Sequence, residues 1–181
     1  MDIQYAILGF LSWRPFSGYD LKKIISESDL FYWSGNNNQI YKSLIDLHQT
    51  NQVTQQVLYQ ENLPSRKVYT ITEKGIHTLR AWLLSHPELP EFRNNFMIQL
   101  AWADPLSKEE MDALLGTYEE EIDVQLRMRL VQAQAQRAPQ RTPRESYLWA
   151  RISENMTASY QHELDWVREV RKALNEEKFM S

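Results

Sequence analysis

The feature that most constrains the fold is a change of hydrophobic period inside the first half of the chain. Up to Leu47 the apolar residues recur at helical spacing, and from Val53 they recur at every second position. Ile3 to Trp13 is a compact apolar segment ended by Arg14-Pro15-Phe16, where the proline drives its predecessor away from helical geometry. Ser17-Gly-Tyr-Asp20 is a helix-start signal close to a capping box, and Leu21, Ile24 and Ile25 give the next helix a buried face. After Ser34-Gly35, the residues Ile40, Leu44 and Leu47 form a stripe, with Asn36, Asn37, Asn38, Gln39, Lys42 and Ser43 lying off it. Val53, Val57 and Tyr59 then fall on one face of a β-branched, aromatic strand. Glu61 to Ser65 is turn chemistry, and Lys67 to Thr72 is a second strand, completing a hairpin. Thr72 is placed to cap a helix with an apolar stripe of Ile76, Leu79, Leu83 and Leu84, and Trp82 beside it. Three helices and a hairpin in this order predict a helix-turn-helix with a wing, and hence a mainly α fold with a small β-hairpin.

His86-Pro-Glu-Leu-Pro90 resists both helix and central strand, so it divides the chain into residues 1–86 and 87–181. Beyond it the pattern is helical. Phe92, Phe96, Met97 and Leu100 mark a short helix that ends near Asp104-Pro105. Ser107-Lys-Glu-Glu110 is a capping box opening a long helix striped by Met111, Leu115, Tyr118, Ile122 and Leu126. Thr142-Pro-Arg-Glu145 is another, with proline at the first helical position, where its missing N–H costs least. The last helix carries Leu148, Ile152, Met156, Tyr160, Leu164, Val167 and Leu174 at spacings of three, four or seven. Two such helices have more apolar surface than they and a small domain can cover. A second copy of the chain covers the excess most simply, so this stripe is the expected homodimer interface. An antiparallel helix pair folded back on its own winged domain is the other arrangement.

The chain contains no cysteine, which excludes a disulfide scaffold, a thiol nucleophile and cysteine-based zinc or iron–sulfur sites, and suits a reducing cytoplasm. The apolar run at its start lacks a basic leader and a cleavage site, and no stretch approaches the ~18 residues of a membrane span. His48, His77, His86 and His162 are scattered without metal-ligand spacing, and neither a glycine-rich phosphate loop nor Gly-x-Ser-x-Gly is present. Glu119-Glu-Glu121 is a solvated run whose side chains point in different directions. We therefore expect a cytoplasmic protein with no catalytic residues, metal or cofactor. The net charge of −4 is the sum of +1 over residues 1–86 and −5 over the remainder, which leaves the first half as the one suited to a polyanion.

Four pieces, Tyr5-Ala-Ile-Leu-Gly-Phe-Leu11, Ser17-Gly-Tyr-Asp-Leu21, Trp33-Ser34 followed by Gln39-Ile-Tyr41 and Leu44, and Lys67-Val-Tyr-Thr-Ile-Thr-Glu-Lys-Gly75, resemble the PadR family of bacterial repressors in order and spacing. Asn95-Phe-Met-Ile-Gln-Leu100 and the capped long helices resemble its branch with an extended C-terminal domain, which includes repressors of phenolic-acid stress genes. The resemblance implies a sequence-specific DNA-binding regulator, a repressor that holds a palindromic operator as a homodimer and is released by a small effector. A winged-helix adaptor that binds protein and no DNA is the alternative. The three asparagines before Gln39, and Lys42 where relatives commonly have proline, leave the operator sequence open.

In a recognition helix one face is clamped in the core while the other presents hydrogen-bonding groups to base edges. Ile40, Leu44 and Leu47 supply the clamp; Asn36, Asn37, Asn38 and Gln39 supply amides able to pair bidentately with adenine. Ser17, Tyr19, Lys22, Tyr41 and Lys42 are candidate phosphate ligands, although the two tyrosines serve equally as core aromatics with a solvated hydroxyl. Arg66 and Lys67 lie at the wing, where a minor-groove or backbone contact is expected. Relatives bind effectors near the domain junction, and Trp33, Trp82, Phe92, Phe96 and Trp102 come from segments that can supply an aromatic pocket there; aromatics at helical spacing are also ordinary core.

Overall fold

A computed structural model describes residues 3–27, 38–60, 63–90, 94–135 and 141–176. The chain divides into two compact units, Met1–Glu88 and Leu89–Ser181.

In the first unit, α1 (Ile3–Leu11), α2 (Gly18–Glu27) and α3 (Asn38–Gln49) surround a core that includes Ile7, Leu8, Leu21, Ile25, Ile40 and Leu44. β2 (Val53–Gln60) and β3 (Leu63–Ile71) form the antiparallel hairpin, with Val53 opposite Ile71 and Val57 opposite Lys67. A two-residue strand, β1 (Phe16–Ser17), pairs with β3 and makes the sheet three-stranded in the order β1-β3-β2. Its pairing of Phe16 with Tyr69 joins residues far apart in sequence, which no local pattern signals. The shared face expected for Val53, Val57 and Tyr59 is buried at Val53 alone. Val57 and Tyr59 are 36% and 88% exposed, because the outer part of the hairpin stands clear of the helices as a wing.

Helix α4 (Glu73–Leu83) starts where expected, with the Thr72 hydroxyl accepting from the Gly75 N–H at 3.1 Å. Its stripe does not turn inward as a whole. Leu79 packs on the core and Trp82 stacks on Tyr5 at 4.6 Å, whereas Ile76, Leu83 and Leu84 are exposed. The helix is anchored at its first turn, where Gly75 lies so close to the Gln52 carbonyl that a Cβ would sit 2.2 Å from the oxygen.

The second unit comprises α5 (Asn95–Ala101), α6 (Lys108–Ala135) and α7 (Pro143–Asn175). Ser107 and Glu110 exchange N–H bonds at 2.8 and 3.2 Å, the reciprocal pattern of a capping box. Thr142 accepts from the Glu145 N–H at 3.1 Å, with Pro143 in the first turn. The long helices run antiparallel, since Asp112 near the start of α6 meets Arg171 near the end of α7, and Arg129 stacks over Tyr160.

This pairing gives part of the stripe expected at the dimer interface a partner within the chain. Leu164 and Val167 are buried against Leu115 and Leu126 of the same chain, and Tyr160 and Leu174 pack on that cluster. The two stripes face each other, so these α7 residues already have their apolar partners. Leu148 and Ile152, at the other end of α7, remain 51% and 41% exposed, with Met156 half-buried.

Candidate nucleic-acid interface

Helix α3 is two-faced. Ile40, Leu44 and Leu47 are buried, while Asn38, Gln39, Tyr41 and Lys42 on its first turns are exposed. Asn36 and Asn37 lie outside the described residues. Tyr41 is both packed and exposed: its ring lies over Gly18, where a Cβ would come within 2.7 Å of Cε1, yet the residue is 43% exposed. Tyr41 therefore packs α3 against the start of α2 and still reaches solvent.

The start of α2 carries Tyr19, 68% exposed, and Lys22, half-buried. Ser17 departs from its expected role as a phosphate ligand. It is 2% exposed, and its hydroxyl donates to Asp20 Oδ2 at 3.0 Å while accepting the Asp20 N–H at 3.2 Å. Ser17 is a helix cap, satisfying donors that would otherwise be orphaned.

Lys67 is exposed on the wing, and Arg66 is tied by its Nη2 to Asp20 Oδ2. The pair links β3 to the first turn of α2 across 46 positions of sequence. Burial raises the Asp20 carboxyl, but the hydrogen bonds from Ser17 and the Arg66 guanidinium outweigh it and hold the group below its ordinary value. Sequence reasoning found Arg66 and missed Asp20 as its partner. α2, α3 and the wing thus present amides, phenols and cations around one internally compensated carboxylate.

The aromatic residues expected to line a pocket fall in different units or outside the described residues. Trp33 and Phe92 lie outside the described residues. Trp82 stacks on Tyr5 in the first unit; in the second, Phe96 stacks on Tyr118 at 3.6 Å and Trp102 is 80% exposed. The second unit also has a cleft of about 370 Å³ with Met111, Leu115 and Leu174 beside the Asp112–Arg171 pair. Among the described residues no group of three or more His, Asp or Glu side chains is arranged to hold a metal ion, and no helix is long and apolar enough to cross a membrane.

A helix pair with a clamped, amide-bearing second member and an adjoining three-stranded wing defines the winged helix-turn-helix class, here followed by a separate helical unit. Residues 7–81 match the Transcriptional regulator PadR-like family, and residues 92–175 match the family described as Virulence activator alpha C-term. The chain thus carries a PadR-like family domain followed by this second domain. It is 33% identical over 113 residues to the Negative transcriptional regulator PadR of Bacillus subtilis (strain 168), a match covering 62% of each chain, and so spans under two thirds of that relative's length. The crystal structure of Bacillus subtilis PadR in complex with operator DNA is similar in fold, with a TM-score of 0.82 at 24% identity over 95% of this chain and 98% of that one. The same protein in complex with p-coumaric acid gives 0.78 at 23% identity, over 97% and 99%.

Proposed function

We propose that this chain is a DNA-binding transcriptional repressor that grips a two-fold operator as a homodimer. The observation that carries the reading is the two-faced α3, buried along Ile40, Leu44 and Leu47 and open along Asn38, Gln39, Tyr41 and Lys42. Amides at the start of a recognition helix read base edges, each good bidentate pair contributing about 1–3 kcal/mol of discrimination. Tyr19, Tyr41, Lys42, Arg66 and Lys67 position the backbone. Asn36 and Asn37 precede this helix directly and extend the amide run. Residues 1–86 hold DNA and residues 87–181 hold the second copy, with Leu148 and Ile152 as its exposed apolar contacts.

The relative's complexes with operator DNA and with p-coumaric acid support both the partner and a small aromatic effector. A gel-shift with a duplex from the protein's own promoter, at two salt concentrations, tests the reading. Retardation that is specific and salt-sensitive supports it. Its absence across several candidate operators favours a protein-binding adaptor. The effector is tested by thermal shift with phenolic acids, where no stabilisation and no loss of DNA binding removes it.

A further inference from the structure

Asp20 presents a difficulty for a surface that approaches phosphates. A carboxylate at the first turn of α2, beside the exposed Tyr19, adds repulsion where DNA is to be held. It is nonetheless held by three hydrogen bonds. Its Oδ2 accepts from the Ser17 N–H at 3.3 Å and the Ser17 hydroxyl at 3.0 Å, and Ser17 is itself buried. The same oxygen accepts Arg66 Nη2. Thus a carboxylate fixed by a helix cap holds the long, flexible side chain of the wing.

Arginine carries five N–H donors on a rigid planar fork. Nη2 is the atom given to Asp20, and among the described residues the rest of the fork meets no hydrogen-bond partner. The Arg66 side chain keeps 44% of its exposure, so those donors face solvent. An arginine pinned at one corner forfeits much of its rotamer freedom before binding, and ordering such a side chain at an interface otherwise costs about 0.5–1.5 kcal/mol, a factor of roughly two to twelve in affinity.

We propose that Asp20 is a positioning residue for DNA binding, which orients Arg66 on the wing so that the free edge of its guanidinium is preset for a backbone phosphate. This rests on the DNA-binding reading above. It also reverses the simple electrostatic expectation. Removing a negative charge from a DNA-facing surface should tighten binding, whereas loss of the positioning contact weakens it.

The test uses the full chain, a duplex from its own promoter and an unrelated duplex, with Asp20→Asn, Arg66→Ala and the double variant measured across a salt series. Asparagine keeps an acceptor for Ser17, so the cap persists, but it surrenders the charge that holds the guanidinium and leaves Arg66 a neutral hydrogen bond roughly half as strong. Equal unfolding midpoints for wild type and Asp20→Asn verify that the cap is intact. Asp20→Asn is expected to weaken promoter binding roughly three- to tenfold and to reduce the salt slope by about one phosphate contact or less. In the double variant it adds nothing to the loss from Arg66→Ala. Unchanged or tighter binding by Asp20→Asn overturns the positioning role, as does an equal Asp20→Asn loss in the Arg66→Ala background. Both outcomes leave the DNA-binding reading intact. Failure of the wild-type chain to retard either duplex overturns that reading and the positioning role with it.

Discussion

Arg171 grips both carboxylate oxygens of Asp112, Nε to Oδ1 at 2.7 Å and Nη2 to Oδ2 at 2.8 Å, across the antiparallel helices α6 and α7. The fork-to-fork geometry closes the end of the pair where α6 begins and α7 finishes. Nη1 goes on to Glu119 at 3.0 Å, and Gly116 leaves room for the guanidinium, with a Cβ falling 3.2 Å from Nη2. Hydrogen bonds from Arg171, then from Asn175, hold the Asp112 carboxyl well below the usual carboxylate range.

The sign of the resulting pH dependence follows from that depression. The unfolded carboxyl titrates near 3.8 and the folded one below it, so the Asp112 contribution is complete above about pH 4. It is lost as pH falls from there towards the folded value. Asp112→Asn should lower the unfolding temperature at pH 7 and flatten the decline below pH 4. An Asp112→Asn acid profile parallel to that of wild type would show that Arg171 stabilises nothing through this contact.

Tyr118 offers the opposite window. Its hydroxyl donates to Glu163 Oε1 at 2.6 Å and accepts from Asn94 at 3.1 Å, and its ring lies against Phe96. Burial, then the bond to Glu163, pushes the phenol up to about 12 from 10.0. The folded state keeps this proton after the unfolded state has released it, so stability declines as pH rises through 10 towards 12. Tyr118→Phe is expected to cost about 1–3 kcal/mol at neutral pH, because the partly buried Glu163 loses a donor. Chemical denaturation at pH 7 and pH 11 checks both parts, and Tyr118→Phe should lose less stability between the two than wild type.

Gly75 is a matter of space. An added Cβ meets the Gln52 carbonyl oxygen at 2.2 Å and Ile71 Cγ1 at 2.7 Å, and a backbone atom cannot swing aside as a side chain does. Gly75→Ala must therefore move the first turn of α4 away from the sheet. A loss of roughly 1–3 kcal/mol is expected, the usual range for overpacking, read from the shift in urea midpoint. A midpoint at or above the wild-type value would show that α4 is not seated as described.

Features written within one turn of chain were legible in the sequence. The Ser107–Glu110 and Thr142–Glu145 caps and the Thr72 cap need only neighbours three residues apart. The buried clamp Ile40, Leu44 and Leu47 follows from helical period alone. What escaped was set by distant partners. β1 exists through its pairing with Tyr69 and Val68, and Asp20 acquires its meaning from Arg66. The α7 stripe shows why periodicity stops short: Leu164 and Val167 announce a buried face without saying which chain buries it. At the candidate interface, Asn38, Gln39 and Lys42 stand on the exposed face of α3, while Ser17 was misjudged because a cap and a phosphate ligand ask for the same hydroxyl.

Two α3 substitutions should separate base reading from backbone gripping. Gln39→Ala is expected to cost about 1–3 kcal/mol on the preferred operator and to relax preference at one base pair. Lys42→Ala should weaken binding evenly across sequences and lower the salt slope by about one. Competition gel-shifts with single-base-pair operator variants decide between them. An even loss for Gln39→Ala would remove it from the base-reading set.

The exposed end of α7 gives a prediction about self-association. Leu148 and Ile152 are exposed on α7, and the neighbouring Tyr147 is 61% exposed, so apolar surface collects near the start of that helix. Leu164 lies in the core of the same chain at 2% exposure. Charging the exposed pair, as Leu148→Lys with Ile152→Glu, should leave the helical content unchanged and yield a monomer by light scattering, because neither residue belongs to the buried cluster between α6 and α7. Leu164→Ala should do the reverse, costing about 2–5 kcal/mol of stability through a cavity while leaving the association state of the folded chain in place. The unfolding temperature adds an independent measure, since it depends on protein concentration only where folding and association are linked. A Leu148→Lys, Ile152→Glu chain that remains dimeric would move the interface away from this end of α7.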